Sequence, residues 1–189
     1  MSPRLRVACE VADTDAEGPG RRYAVWLQGC PLRCPGCCNP EMLPMRGGTE
    51  IEVGELAARV CGTPGIEGLT LLGGEPFAQA EPAALLAEAV RREGLSVMVF
   101  SGYTLEELRA RPEAAPLLAA ADLLVDGRYD RTQPDTARRW IGSRNQRLWF
   151  LTDRYRPDDP RFAASDTVEI RLVRNVLVVN GRPWGKGLP

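Results

Sequence analysis

Apolar, β-branched and aromatic residues cluster in short runs at 23–27, 69–72, 96–100, 123–125 and 147–151, and each run reads as a buried strand. Most are followed within two residues by glycine or aspartate. Between them the apolar positions take helical spacing at 53–60, 81–92 and 105–110. The second of these segments is rich in Ala, Leu and Glu and carries Pro82 in its first turn, where proline is tolerated. Strand and helix alternate, which predicts an α/β fold of βα units with a largely parallel sheet and ligands at the carboxyl ends of its strands. Beyond Thr152 the pattern changes. A Pro/Asp/Arg loop at 153–161 leads to an alternating run at 167–173 and a second run at 176–179. Asn175 and the pair Asn180-Gly181 act as turn signals, and together they predict an antiparallel strand pair appended to the sheet.

The chain has 189 residues, 44% of them hydrophobic, enough for one sizeable core and a single domain. Its 24 Lys plus Arg balance 25 Asp plus Glu, so no global field attracts phosphate backbones and nucleic acid is not an expected partner. The apolar stretch 117–125 is interrupted by Asp122 and is too short to cross a bilayer, so no membrane association is expected. The first ten residues lack the apolar core of a signal peptide, which points to a cytoplasmic location.

Six cysteines fall unevenly at Cys9, Cys30, Cys34, Cys37, Cys38 and Cys61, and there is no histidine. Mixed Cys/His zinc sites and His-dependent nucleophiles are therefore excluded. Any chemistry must come from thiolates, carboxylates, hydroxyls, amines or a cofactor. The segment 28–40, QGCPLRCPGCCNP, follows directly on the 23–27 run, and its C-x3-C-x2-C spacing sets Cys30, Cys34 and Cys37 in a loop constrained by Pro and Gly. An electron-transfer 4Fe-4S cluster takes four thiolates, whereas three leave one iron open to substrate. A structural zinc knuckle using Cys38 as fourth ligand is the competing reading. Cys9 and Cys61 read as small buried hydrophobes, and Cys38 as packing filler or an oxidation site.

Gly73-Gly74-Glu75-Pro76 follows the 69–72 run. Two glycines let a ligand approach the backbone, strand-end amides and carbonyls can bind an amino acid's ammonium group, and Glu75 adds an acceptor. Taken alone, the motif is equally a strand-to-helix turn.

These residues together resemble the radical S-adenosylmethionine superfamily, and more narrowly the activating proteins of anaerobic ribonucleoside-triphosphate reductase. The resemblance runs over roughly residues 13–152. It is carried by EGPGRR at 17–22, QGCPLRCPGCCNPE at 28–41, LLGGEP at 71–76, FSGYTLEEL at 100–108, LLVDGRYD at 123–130 and WIGSRNQR at 140–147. Gly36 stands where many superfamily members have an aromatic residue, and Cys38 where His or Tyr is frequent. The resemblance implies an incomplete (β/α) barrel over 1–154, with 155–189 as an extension packed on the same domain. It implies that Cys30, Cys34 and Cys37 hold a 4Fe-4S cluster and that Gly73, Gly74, Glu75 and Pro76 contact the methionine end of S-adenosylmethionine. Reductive cleavage would give methionine and a 5'-deoxyadenosyl radical that abstracts hydrogen, the protein supplying position and dryness.

Ser101 and Asp126 each follow a strand and could line the same pocket, although each is also good turn chemistry. The 142–146 stretch suits either a ligand or a tight loop, and Arg21-Arg22 and Arg138-Arg139 read as solvated faces. The resemblance implies a glycyl-radical partner like anaerobic ribonucleotide reductase, and an electron donor such as flavodoxin or ferredoxin. A stand-alone radical enzyme acting on a small molecule and a non-catalytic iron-sulfur or zinc protein are the alternatives.

Overall fold

A computed structural model describes residues 2–164, 167–173 and 176–181; the turn expected at Asn175 lies outside them. The five expected strands form as β2 (Arg22–Leu27), β4 (Gly68–Gly73), β5 (Ser96–Phe100), β6 (Leu123–Asp126) and β7 (Arg147–Phe150). Two strands that the apolar runs did not reveal, β1 (Arg4–Thr14) and β3 (Thr49–Glu52), complete a seven-stranded sheet in the order β3-β1-β2-β4-β5-β6-β7. Both are rich in charge, as suits strands near a sheet edge. In β1 the buried Leu5 and Val7 alternate with the arginines Arg4 and Arg6.

The expectation of a largely parallel sheet needs correction. β2, β4, β5 and β6 run parallel, but β1 pairs antiparallel with both β2 and β3, and β7 antiparallel with β6. The connections explain this. α1 (Val53–Cys61) and α2 (Ala80–Arg92) lead into β4 and β5, and α3 (Leu105–Arg109) with the unexpected α4 (Ala115–Ala120) leads into β6. The segment from β6 to β7 contains no helix, so its chain returns antiparallel.

The helices obey local rules. α2 has Glu81 in its first turn and Arg91 and Arg92 in its last, matching the helix dipole. α3 opens on a capping box between Thr104 and Glu107. Leu56, Val60, Leu86 and Val90 from the helices pack on Leu69, Leu71, Val97 and Val99 of the sheet. Alternation sends the neighbouring Trp26, Leu72, Phe100 and Val125 to the opposite face.

Arg22 overturns the solvated reading given to it. It is fully buried at the amino end of the parallel strands, donating to Thr70 Oγ1 at 2.6 Å, Leu69 O at 2.6 Å, Ser96 Oγ at 2.9 Å and Pro19 O at 3.1 Å. Arg21 is solvated and pairs with Asp13. Arg138 braces its own loop by donating to Asp135 Oδ2 at 2.7 Å and to the carbonyls of Arg144 and Gln146.

The expected strand pair exists as β8 (Val168–Val173) and β9 (Val176–Gly181), preceded by the short α5 (Pro160–Ala163). It is not appended to the main sheet; the two strands form a sheet of their own. Polar contacts hold it to the 14–17 segment: Asn180 Nδ2 donates to Thr14 Oγ1 at 2.7 Å, Asp15 N to Glu169 Oε1 at 2.8 Å, and Gly181 N to Glu17 Oε1 at 2.6 Å. Among the described residues no helix is long and apolar enough to cross a membrane.

Candidate active site

The carboxyl ends of β2, β4, β5 and β6 open onto a cavity of about 500 Å³, a size typical of small-molecule sites. Trp26, Leu72, Phe100 and Val125 form its apolar floor, and the tip of β9 from Val179 to Gly181 reaches its rim. Cys30, Cys34 and Cys37 all line it, as do Gly73, Gly74, Glu75 and Ser101. The structure thus brings together the thiol loop and the strand-end turn.

Backbone pairing holds these two segments. Gly74 N donates to Leu27 O at 2.8 Å and Glu75 N to Gly29 O at 2.9 Å, which extends the β2–β4 ladder past the strand ends. On the other side of the loop, Gly29 N donates to Met42 O at 2.9 Å and Cys30 N to Leu43 O at 3.1 Å. A Cβ at Gly74 would lie 2.4 Å from Gly29 O, and one at Gly73, where φ is +101°, 2.7 Å from Leu27 N. The glycines are therefore required first by the approach of one backbone to another.

The thiols differ in environment. Cys30 is buried, while Cys34 and Cys37 are half-buried. Burial raises the pKa of Cys30, and the amides of Arg33 and Leu32 directed at its sulfur oppose this. Cys34 is likewise raised by burial, against the amide of Tyr129. Contact between the neighbouring thiols pulls Cys37 down and pushes Cys38 up, and Asn39 N donates to Cys37 Sγ at 3.4 Å. Amides aimed at sulfur are the outer contacts that tune thiolate-bound metal centres.

Three soft thiols along one wall, beside open volume, fit a 4Fe-4S cluster with one iron left accessible. Among the described residues no three Cys, Asp or Glu side chains are grouped to hold a single metal ion.

Glu75 is fully buried. Its Oε1 accepts from Phe77 N and Ser101 Oγ, both at 3.0 Å, and its Oε2 from Gly102 N at 2.9 Å. Burial outweighs these donors and pushes its pKa up to about 7. Its carboxylate knits the β4 turn to the β5 turn, and the Ser101 hydroxyl is committed to it. Pro76 is buried at the start of a 3-10 turn, away from the cavity wall. Asp126 also departs from expectation. It is absent from the cavity wall, accepting instead from Leu105 N at 2.6 Å and from Arg147 Nη2 at 2.6 Å. In the 142–146 stretch Gly142 and Gln146 reach the cavity, while the buried Ser143 hydroxyl accepts from Asp130 N.

Cys9 and Cys61 are both exposed and are not the buried hydrophobes expected. Cys9 stands in the cavity wall, where partial burial and the charges of Glu41 and Glu17 raise its thiol to about 11. Sequence reasoning also passed over Glu17 as a site residue. It is 8% exposed, lines the cavity, and has its pKa raised to about 7 by burial. The signal available was its place in EGPG, a glycine-rich turn leading into the first parallel strand.

Residues 16–149 match the family described as a 4Fe-4S single cluster domain. The anaerobic ribonucleoside-triphosphate reductase-activating protein of Enterobacteria phage T4 is 34% identical over 143 residues, covering 72% of this chain and 88% of that relative. Its counterpart in Vibrio cholerae is 34% identical over 71% of this chain and 91% of the relative. The one in Escherichia coli is 31% identical over the same shares of each chain. The chain belongs to the family of anaerobic ribonucleoside-triphosphate reductase-activating proteins. With that membership the expected radical S-adenosylmethionine enzyme, with a 4Fe-4S cluster and S-adenosylmethionine as cofactors, is borne out. QueE from Escherichia coli is a more partial match in structure, with TM-score 0.42 over 53% of each chain at 18% identity, and adds nothing to the assignment.

Two outcomes follow for this activating-protein family member. Gly74→Ala forces the thiol loop off the turn, and overpacking of this kind costs about 1–3 kcal/mol. Urea melts of the metal-free protein should register that loss, and iron and acid-labile sulfide after anaerobic reconstitution should fall; an unchanged melt and full iron would refute the contact's role. The second outcome concerns Glu17, whose folded pKa of about 7 lies above the ordinary 4.5. Its stabilising contribution is present below about pH 4.5 and is lost as pH rises toward 7. Glu17→Gln should remove that part of the stability profile, on the order of 2 kcal/mol, in melts of the metal-free protein between pH 4.5 and 7.5.

Proposed function

We propose that this chain generates a glycyl radical on an anaerobic ribonucleotide reductase-like partner. The observation that carries the reading is the convergence of Cys30, Cys34, Cys37 and the Gly73-Gly74 backbone on one cavity at the carboxyl ends of parallel strands. Relatives at 31–34% identity bear the name of reductase-activating proteins, which supplies the partner class.

In this reading Cys30, Cys34 and Cys37 hold the cluster, and the strand-end backbone of Gly73 and Gly74 receives the methionine end of S-adenosylmethionine. When bound, the cluster and S-adenosylmethionine supply a one-electron cleavage that yields a hydrogen-abstracting 5'-deoxyadenosyl radical. The chain's own residues position and exclude. Glu75 and Ser101 lock two strand-end turns at a fixed spacing. Pro76 and Asp126 act at one remove, the first by starting the turn into α2, the second by anchoring the start of α3 to β6. The apolar floor of Trp26, Leu72, Phe100 and Val125 keeps water from a reactive intermediate.

The parallel core with helices on one face supports an incomplete (β/α) barrel over 1–154, open opposite the helices. Residues 155–189 are an extension on the same domain, and Tyr155 supports this by reaching Ser96 Oγ at 2.8 Å within the core. We place the activity in the cytoplasm, where a glycyl-radical partner and a reducing pool of thiols are available.

The test is electron paramagnetic resonance on anaerobically reduced protein, S-adenosylmethionine and a glycyl-radical reductase from the same genome. A glycyl doublet is expected. It should vanish in Cys30→Ala, Cys34→Ala and Cys37→Ala together with the iron and sulfide, while Cys38→Ala should retain the cluster. Turnover of a small nucleotide with no doublet on a competent reductase would move the chain to the stand-alone class. Loss of the cluster in Cys38→Ala but not Cys37→Ala would overturn the ligand set.

A further inference from the structure

We propose that the β8–β9 hairpin is a detachable section of the cavity wall, shut in the free protein and lifted to admit the hydrogen donor. This rests on the reading above, in which a segment of a partner protein must reach the same cavity as S-adenosylmethionine.

Volume sets the requirement. A cavity of about 500 Å³ suits one small molecule. A polypeptide segment cannot share it with S-adenosylmethionine, so part of the wall has to yield when the partner arrives. Most of the wall cannot. The thiol loop and the Gly74 turn are locked backbone to backbone, and the floor strands belong to the seven-stranded sheet. In the 127–146 segment Arg138 donates to the carbonyls of Arg144 and Gln146, and Trp140 Nε1 to Ala16 O at 3.1 Å. The remaining section is the tip of β9, where Val179, Asn180 and Gly181 line the cavity.

That section is made to separate. The hairpin shares no ladder with the main sheet, and no described residue of β8 or β9 enters an apolar cluster of the core. Its faces are inverted with respect to burial. Val168, Ile170 and Leu172 are 43%, 57% and 73% exposed, while the alternate residues Glu169 and Arg171 bond to the 13–15 segment. The attachment is therefore polar: Asp15 N to Glu169, Asn180 to Thr14, Gly181 N to Glu17, Arg171 to Asp13 O, and Arg139 to Thr167 Oγ1 at 3.0 Å. Each of these bonds exchanges for one to water at small net cost, and none of the apolar clusters opens with them. The chain leading to the hairpin is anchored, because Tyr155 and Phe162 pack with Met98, Leu123 and Ile141. A lifted hairpin thus stays tethered beside the cavity and returns. Elements of low local stability are those from which lids are drawn, and a shut lid keeps water from the site between encounters.

The experiment is amide hydrogen exchange on the reconstituted holoprotein, read by mass spectrometry, beside the kinetics of glycyl-radical formation on a reductase from the same genome. A two-stranded ribbon released from its support is marginal in water, so lifting exposes its ladder amides. Those of β8 and β9 should exchange at least about tenfold faster than those of β4 and β5. Glu169→Ala, which removes the acceptor of Asp15 N, and Asn180→Ala, which frees Thr14, should each speed them about fivefold further. Both variants should lower the KM for the reductase by a similar factor with kcat and S-adenosylmethionine affinity unchanged, since the entry-competent fraction rises while the cofactor fits the shut cavity. Glu55→Ala, on the exposed side of α1, should change neither. Exchange of β8 and β9 at the rate of β4 and β5, or exchange that neither variant speeds, overturns the proposal. So does a KM that stays the same or rises in variants whose hairpin opens faster, because the hairpin then does not bar the donor. A parent that forms no glycyl doublet on a competent reductase defeats the functional reading and the entry role with it, and the exchange pattern of the same sample tells that failure from a hairpin that does not lift.

Discussion

The approach of one backbone to another between Gly29 and Gly74 is the constraint on which the site depends. Parallel pairing of β2 with β4 delivers two loops side by side, and a third backbone, from Met42 and Leu43, closes over the first. A side chain at Gly74 cannot be accommodated because its neighbour is a main-chain oxygen, which has no rotamer by which to yield. The thiol loop and the strand-end turn consequently behave as one body. Whatever the thiols hold is fixed relative to the backbone that faces it, and precision of this sort is what reactive intermediates require.

Glu75 extends that rigidity to the next strand. A buried carboxyl is costly, and three donors from two turns offset the cost without restoring its ordinary acidity. Because those donors are internal, its side chain is largely spent on architecture. What remains at this edge of the cavity is the main chain of Gly73 and Gly74, whose groups vary less in position than those of a long side chain. The apolar floor then fills the space between the turns.

Much of this was legible in the sequence, and what was not has a common physical origin. The spacing of Cys30, Cys34 and Cys37, the run before them and the glycine pair after the next run pointed to segments that line one cavity, because loop length and strand order survive in one dimension. Which way a side chain points does not. Asp126 belongs to β6 and follows Val125, so the pleat turns it from the cavity toward α3. Arg22 shares the alternation of Ala24 and Trp26 and is carried inside, whereas Arg21 lies outside the strand. β1 and β3 escaped notice because flanking strands need few apolar residues, and the charges that protect an edge also disguise it. The independence of the β8–β9 pair could not be read from its alternation, which is the same whether or not a neighbour is present.

Five thiols line the cavity, and local electrostatics sorts them without help from histidine. Metals bind thiolates, so in the proposed reading the environments that favour the anion bear on which thiols serve. Burial and the carboxylates of Glu41 and Glu17 push Cys9 toward its protonated form, and contact with Cys37 pushes Cys38 the same way. The same contact favours the anion at Cys37, to whose sulfur Asn39 N also donates at 3.4 Å. Burial disfavours the anion at Cys30 and Cys34, but each sulfur faces main-chain N–H groups that oppose this. Cys38 therefore bears on the site through its neighbour, and its replacement leaves Cys37 the amide of Asn39 and its place in the loop.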